Sequence, residues 1–325
     1  MTLNELINQH SQPAKSGVPD WLLGCFRRYS ISFANGTTDL KTQVFWLQSR
    51  NFTIDIRMPV ESELVSSKSV DVYTDKELQQ LANYEGFSAT TDWDGNQLSW
   101  RDSDESLQIH NRWTEPAILK RVGNCMVEFC PSDAYVEDWR AQPTAAGPLV
   151  GLRLLEEKEQ ATGIIRHKGG GLIVCGDYAG LVLGRAEEII KPSAETTLAN
   201  MVAAAMTNIN CLNQLFNFET SFAKGSFENG FKVMLTTKPN RLAQNLFPLD
   251  GFDPPRKYHH STLGEIDIIR QTLMIEGKVC ERLFTIDTIE AHVDFSQSTA
   301  ISKETSDWFE RESATLTRYT STVFA

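Results

Sequence analysis

The strongest constraint on this chain is its punctuation. Short runs of aromatic, β-branched and aliphatic residues recur at close spacing, and tight-turn dipeptides separate them. Residues 26–33 and 42–48, the second with Val44, Phe45, Trp46 and Leu47 in sequence, flank Asn35-Gly36. Asn-Gly between two such runs signals a hairpin, because both residues tolerate the positive φ of a type I′ turn. Residues 52–58 alternate: Phe52, Ile54, Ile56 and Met58 share one face, Thr53, Asp55 and Arg57 the other, and Pro59 ends the strand. Strands over 88–93 and 98–101 meet through Asp94-Gly95, and runs at 107–113, 117–121 and 125–129 continue the meander, with Gly123-Asn124 as a further turn.

Two helices are expected in this half. Thr74 and Glu77 form a capping box, Leu78 and Leu81 give one apolar face, and Gly86 is the stop signal. The second covers 132–140, with Ser132 or Asp133 as cap and Tyr135, Val136 and Trp139 at helical spacing. Residues 141–147, close to Pro143 and Pro148, form the best linker or loop. Strands follow at 149–155, 163–167, 172–175 and 179–185, with Gly176-Asp177 as a turn. Pro192 and Ser193 introduce the longest helical stretch, 196–215. Strands resume at 215–222 and 231–237 across Glu228-Asn229-Gly230, and at 265–275 and 278–295 across Gly277, after the loop Asp253-Pro254-Pro255. The polar tail is helical near Trp308. The chain therefore divides into an amino-terminal arm (1–19), a barrel core (20–250) with a sub-boundary near 141–148, and an extension (251–325) that adds strands and a tail. Hairpin-linked strands imply a mainly β, antiparallel up-and-down sheet, and closure into a barrel removes its exposed edges. The barrel is expected to be elaborated or doubled, with a few covering helices. A sandwich is the main alternative. Helices do not alternate with strands, which disfavours a parallel α/β fold.

Charge and motifs then narrow the function. The chain holds 31 Lys and Arg against 42 Asp and Glu, a net −11, with no basic run, so neither a phosphate backbone nor an anionic membrane surface is an expected partner. At 41% hydrophobic and 22% charged residues the composition is that of an ordinary folded protein. The first twenty residues contain no apolar signal core, and no run approaches the ~18 apolar residues of a membrane span. Six cysteines without CxxC spacing, five of them within apolar runs, read as reduced thiols of a cytoplasmic chain in preference to three disulfides. Gly169-Gly170-Gly171 lacks both a following Lys-Ser/Thr and a GxGxxG pattern, and His259-His260 lacks neighbouring ligands. There is no G-x-S-x-G elbow, and no histidine is singled out for haem. No metal or other cofactor is therefore expected.

The amino-terminal strands resemble a known group. The segments Trp21-Leu22-Leu23-Gly24-Cys25-Phe26-Arg27-Arg28-Tyr29-Ser30-Ile31, Thr42-Gln43-Val44-Phe45-Trp46-Leu47-Gln48 and Phe52-Thr53-Ile54-Asp55-Ile56-Arg57-Met58-Pro59, with Glu85-Gly86-Phe87, look like a poorly characterised family of lipocalin-like proteins found in bacteria, with a two-barrel fungal relative. The opening Trp followed by Gly-x-Phe is also similar to the first strand of the wider calycin group. The resemblance extends through Gly176-Asp177-Tyr178-Ala179 and 218–224, covering roughly 21–247. The helical insertion at 196–215 and the strands after Pro254 depart from the pattern. The resemblance implies a calycin-type barrel, which commonly holds an apolar or amphipathic small molecule. It brings no catalytic residues with it.

Candidate site residues follow from which strand faces point inward. In the simpler orientation the apolar face of 52–58 lines the barrel and leaves Asp55 and Arg57 outside as an exposed pair. In the alternative that face packs under the covering helices, and Asp55 and Arg57 project into the cavity to fix a polar group or move a proton. Arg27 and Tyr29 share a face with Ile31 and Phe33, and Arg28 shares one with Ser30 and Ser32, so one arginine and not both is internal. An inward arginine suits a carboxylate-bearing ligand. Six of the seven tryptophans, Trp21, Trp46, Trp93, Trp100, Trp113 and Trp139, lie in the first half and could line a cavity or fill a core. His110 is a candidate base. The catalytic candidates are thus Asp55, Arg57, Tyr29 and His110, and the ligand-binding candidates Arg27, Arg28, Trp46, Gln48, Trp93, Trp100 and Trp113. The leading reading is a small-molecule binder. The alternatives are a cofactor-free isomerase, cyclase or dehydratase using the same cavity, and a protein-interaction scaffold whose barrel is filled.

Overall fold

The computed structural model describes residues 1–14, 16–110 and 115–318. After helix α1 (Leu3–His10) come β1 (Gly24–Phe33), β2 (Thr38–Asp39), β3 (Gln43–Gln48) and β4 (Phe52–Met58), then α2 (Asp75–Leu81). Five strands follow: β5 (Glu85–Trp93), β6 (Gln97–Ser106), β7 (Ala117–Val122), β8 (Cys125–Phe129) and β9 (Tyr135–Ala141). Each pairs antiparallel with its neighbour, and β9 returns to β1 from Phe26↔Ala141 to Phe33↔Tyr135. Eight strands thereby close into a barrel, with β2 as an outlying edge.

Several sequence expectations change here. The Thr74 and Glu77 capping box forms as expected, but Gly86 lies inside β5, not at a helix stop. Residues 132–140 are not a helix. Tyr135, Glu137 and Trp139 alternate, and the ladder partners β8 and β1 on either side claim the backbone of this segment for β9. β6 stops at Ser106, so residues 107–110 are not strand, and 111–114 fall outside the described residues.

The second sheet comprises β10 (Gly147–Glu159), β11 (Ile165–Cys175), β12 (Tyr178–Arg185), β13 (Glu219–Ser226), β14 (Gly230–Thr236), β15 (Arg256–His260), β16 (Gly264–Ile275) and β17 (Lys278–Val293). Its order is β14-β13-β12-β11-β10-β17-β16-β15, all antiparallel. The sheet curls: bridges Lys232↔Asn245 and Phe252↔Gln271 let the segment between β14 and β15 span from β14 to β16, over a core that includes Leu3, Leu6 and Ile7 of α1. The long helical stretch is two helices, α3 (Leu198–Ala205) and α4 (Ile209–Leu215), because Asn208 caps the second by accepting from the Cys211 amide. The tail helix is α5 (Lys303–Leu316). The runs at 163–167 and 172–175 join as β11 through the glycine run. There the β11–β12 register shifts, Gly169 and Gly170 have φ of 75° and 100°, and Phe52 of the barrel packs against Gly171. The run serves backbone geometry and close packing.

The barrel and the second sheet share one core. Phe45 of β3 stacks on Phe222 of β13 at 4.0 Å, Arg153 lies over the Phe52 ring, and Leu47 and Ile54 approach Gly180 of β12. The buried Arg50 adds a bidentate pair to Glu290 of β17, both bonds 2.8 Å, and a 2.5 Å bond to Asp20.

Gly86 lies at a close approach across this junction, since a Cβ there would lie 2.6 Å from Thr220 of β13. Gly86→Val is expected to lower the unfolding free energy by about 1–3 kcal/mol through overpacking. Urea denaturation measures this, and Thr220→Ala in the same chain should recover part of the loss.

Candidate functional site in the barrel

Because the apolar face of β4 is spent on the second sheet, its other face points into the lumen. Asp55 and Arg57 are therefore internal, not an exposed pair, and what covers the apolar face is a sheet in place of the expected helices. Trp46 from β3 packs edge-on against Trp139 from β9 (5.4 Å) and Trp100 from β6 (6.0 Å). Against this aromatic cluster the Arg57 Nε donates to Asp55 Oδ1 at 2.8 Å. Arg28 is buried and donates to Glu137 at 2.8 Å and to Asp39 at 2.9 Å. Glu128 of β8 lies directly opposite Glu137 of β9 and accepts from the Trp139 indole at 3.0 Å and the Tyr135 hydroxyl at 3.4 Å. Glu85 is the ladder partner of Arg57.

The cluster is rich in acid, and proton affinities follow from that. Burial pushes Asp55 up to about 6, with Arg57 opposing and the charges of Glu85 and Glu137 adding. Burial, then the facing Glu137, raises the proton affinity of Glu128 well above that of an ordinary carboxylate. Burial and the neighbouring carboxylates also raise the Tyr135 phenol. Burial works against the charge of Arg57, but Asp55 and the surrounding acids more than offset it.

Among the described residues, little space is left around the lumen tryptophans. The void bordered by Trp46, Trp100, Trp139, Asp55, Arg57 and Glu128 measures about 20 Å³, room for one water. Open space lies at the mouth, where a pocket of about 420 Å³ has Arg28, Arg57 and Glu85 on its polar side. Ile31, Phe33, Met58 and Pro59 form the apolar wall, and Gln80 of α2 with Asn83 and Tyr84 just after it complete the lining. The Tyr84 hydroxyl accepts from the Val65 amide at 2.7 Å, which ties the 59–73 segment to this lining.

Of the sequence candidates, the structure brings together Asp55, Arg57, Arg28, Trp46 and Trp100. Gln48 is internal too, but its amide is engaged by Trp46, Thr91 and the Ser49 carbonyl. Arg27 and Tyr29 lie on the outer face. A bulge between Arg28 and Ser30 puts Tyr29 outside, 65% exposed, and lets Arg28 and Ile31 both turn inward. Trp93 packs on Trp21 at 5.6 Å, away from the lumen cluster. His110 borders a separate cleft of about 950 Å³ near β15. Trp113 lies outside the described residues. Sequence reasoning missed Glu85, Glu128, Tyr135 and Glu137. The period-two spacing of 135, 137 and 139 was the available signal for the last two.

All six cysteines are free, four of them buried. Among the described residues no helix is long and apolar enough to cross a membrane, and no group of three or more His, Cys, Asp or Glu could hold a metal ion.

The folded Asp55 holds its proton up to about pH 6, against about 3.8 when unperturbed, so the folded state binds more protons between these values. Its contribution to stability therefore falls as pH rises through that window, by up to about 3 kcal/mol. Asp55→Asn should flatten the stability profile between these pH values relative to the wild type, as measured by urea unfolding at stepped pH. Compared with models of known protein families, with curated proteins and with solved structures, the chain matches none.

Proposed function

We propose that the protein binds a small amphipathic molecule in the mouth of its eight-stranded barrel, with the ligand's polar end on Arg57 and Glu85. One observation carries this reading: among the described residues the void at the lumen tryptophans is water-sized, while the mouth keeps about 420 Å³ open, and Arg57 borders both spaces. That volume lies in the range of small-ligand pockets, which are largely apolar with a few placed polar groups. Here Arg28 and Arg57 offer donors, Glu85 offers an acceptor, and Ile31, Phe33 and Met58 offer apolar contact. The likeness of the first strands to calycin barrels supports the same use.

The geometry favours binding over turnover. Asp55 and Glu128, the carboxyls whose proton affinity is raised, border the void and not the mouth. The group that reaches both sides is a guanidinium, which gives up no proton near neutral pH.

Titration with N-phenylnaphthylamine, a neutral amphipathic fluorophore with one N–H donor, tests the reading. Enhanced emission at a single site is expected. The isosteric Glu85→Gln should weaken binding by about tenfold, because the probe's N–H loses its charged acceptor. Unchanged affinity in Glu85→Gln would remove the mouth as the site.

A further inference from the structure

A second charged cluster sits in the other half of the molecule, where the ends of β10, β11, β13 and β14 meet. Glu157 and Glu219 are buried there and both are already paired. Glu157 accepts from Arg282 Nε at 2.7 Å and lies 3.5 Å from Arg166 Nε. Glu219 accepts from Arg241 Nε at 3.0 Å and from the Ser221 hydroxyl at 2.7 Å. Lys238, just past β14, is half-buried beside them. Among the described residues its ammonium takes part in no ion pair, because the acids it faces are claimed by arginines. It is the surplus cation of the cluster.

Lys238 opens onto a cleft of about 880 Å³ between α4 and these strand ends. Arg185 lines the same cleft, and its guanidinium donates only to backbone carbonyls, those of Ser106, Leu107 and Leu215, all within 2.9 Å. Among the described residues, two cations without a contacting carboxylate thus share one cleft, whose lining also carries Glu187 and Glu276, in a chain of net charge −11. The neighbouring groups respond to that field. Burial and then the Lys238 charge bring the buried His167 down to about 4, so the imidazole is neutral, with its Nδ1 bonded to the Gly184 carbonyl at 2.9 Å. Burial lowers Lys238 itself, against the pull of Glu219 and Glu157. Asn210, Asn213 and Asn240 add polar groups to the rim, whereas Val70, Tyr73, Leu81, Leu107 and Phe216 form an apolar side.

We infer that this cleft is a second binding site, for a small amphipathic anion whose carboxylate or phosphate head pairs with Lys238 and whose apolar part lies along Tyr73, Leu81 and Phe216. An anion head supplies the contacting partner that Lys238 lacks among the described residues, and the apolar side accounts for the rest of the volume. The site is separate from the barrel mouth and shares no lining residue with it.

Calorimetric titration of the full chain with octanoate, octyl phosphate and octanol tests this. Octanoate or octyl phosphate should bind, and the stronger of the two identifies the head group. Octanol should bind at least about tenfold more weakly, as expected if one charge-assisted contact is lost. Lys238→Gln should weaken the anion by a similar factor, Lys238→Arg should restore most of it, and Arg57→Ala should leave it unchanged. The arginine variant separates loss of charge from loss of fold. The inference is overturned if neither anion binds the wild type, if octanol binds as well as the anions, or if Lys238→Gln binds them as tightly as the wild type. Loss of anion binding in Arg57→Ala but not in Lys238→Gln would likewise overturn it by placing the anion in the mouth.

Discussion

The packing of the outer face of β3 and β4 on the second sheet governs the rest of this molecule. A strand has two faces, and here the sheet takes the apolar ones: Phe45 and Leu47 of β3, Phe52 and Ile54 of β4. Burying such side chains contributes roughly 25 cal/mol per Å² of apolar surface, the largest favourable term available to these strands. Once they are committed outward, Trp46 and Gln48 on β3 and Thr53, Asp55 and Arg57 on β4 have only the lumen left. The barrel is thus turned inside out over part of its wall, with its polar pattern within.

A polar lumen must then satisfy itself. Asp55, Glu85, Glu128 and Glu137 stand against Arg28 and Arg57, and burial opposite Glu137 raises the proton affinity of Glu128. The tryptophans fill the remaining volume, and one of them, Trp139, also supplies a donor to Glu128. Asp55 and Arg57 pair within β4, but other internal groups depend on a partner from another strand, as Arg28 of β1 depends on Glu137 of β9. Such a network penalises slippage of the ladder, because a shift of one residue would turn each of these groups to the other face.

Much of this was legible in the sequence, and the failures have physical causes. The turn dipeptides, the Thr74 capping box and the alternation of 52–58 marked the barrel strands and α2. Alternation shows which residues share a face. It cannot show which face is inner, because a second sheet far along the chain decides that. Tyr135, Val136 and Trp139 fit helical spacing as well as Tyr135, Glu137 and Trp139 fit a strand, and only the long-range pairing of β9 with β1 separates the two. The bulge at Tyr29 leaves no local signature, so the inward turn of both Arg28 and Ile31 went unread. Glu128 on its own looks like an ordinary solvent-facing residue of a short strand. The Gly169–Gly171 run carries no phosphate-loop pattern, and its use as a packing surface for Phe52 needed the partner in view.

The two ladders close at different points along the chain. The barrel is complete once β9 reaches β1, and needs nothing beyond Ala141. In the second sheet, β10 waits for β17, which ends at Val293. Long-range pairings form slowly because the loop they close must be ordered first. Without the second sheet, a closed barrel of this orientation would show Phe45, Phe52 and Ile54 to water. The surface that unites the molecule is the one an isolated barrel would find most adhesive.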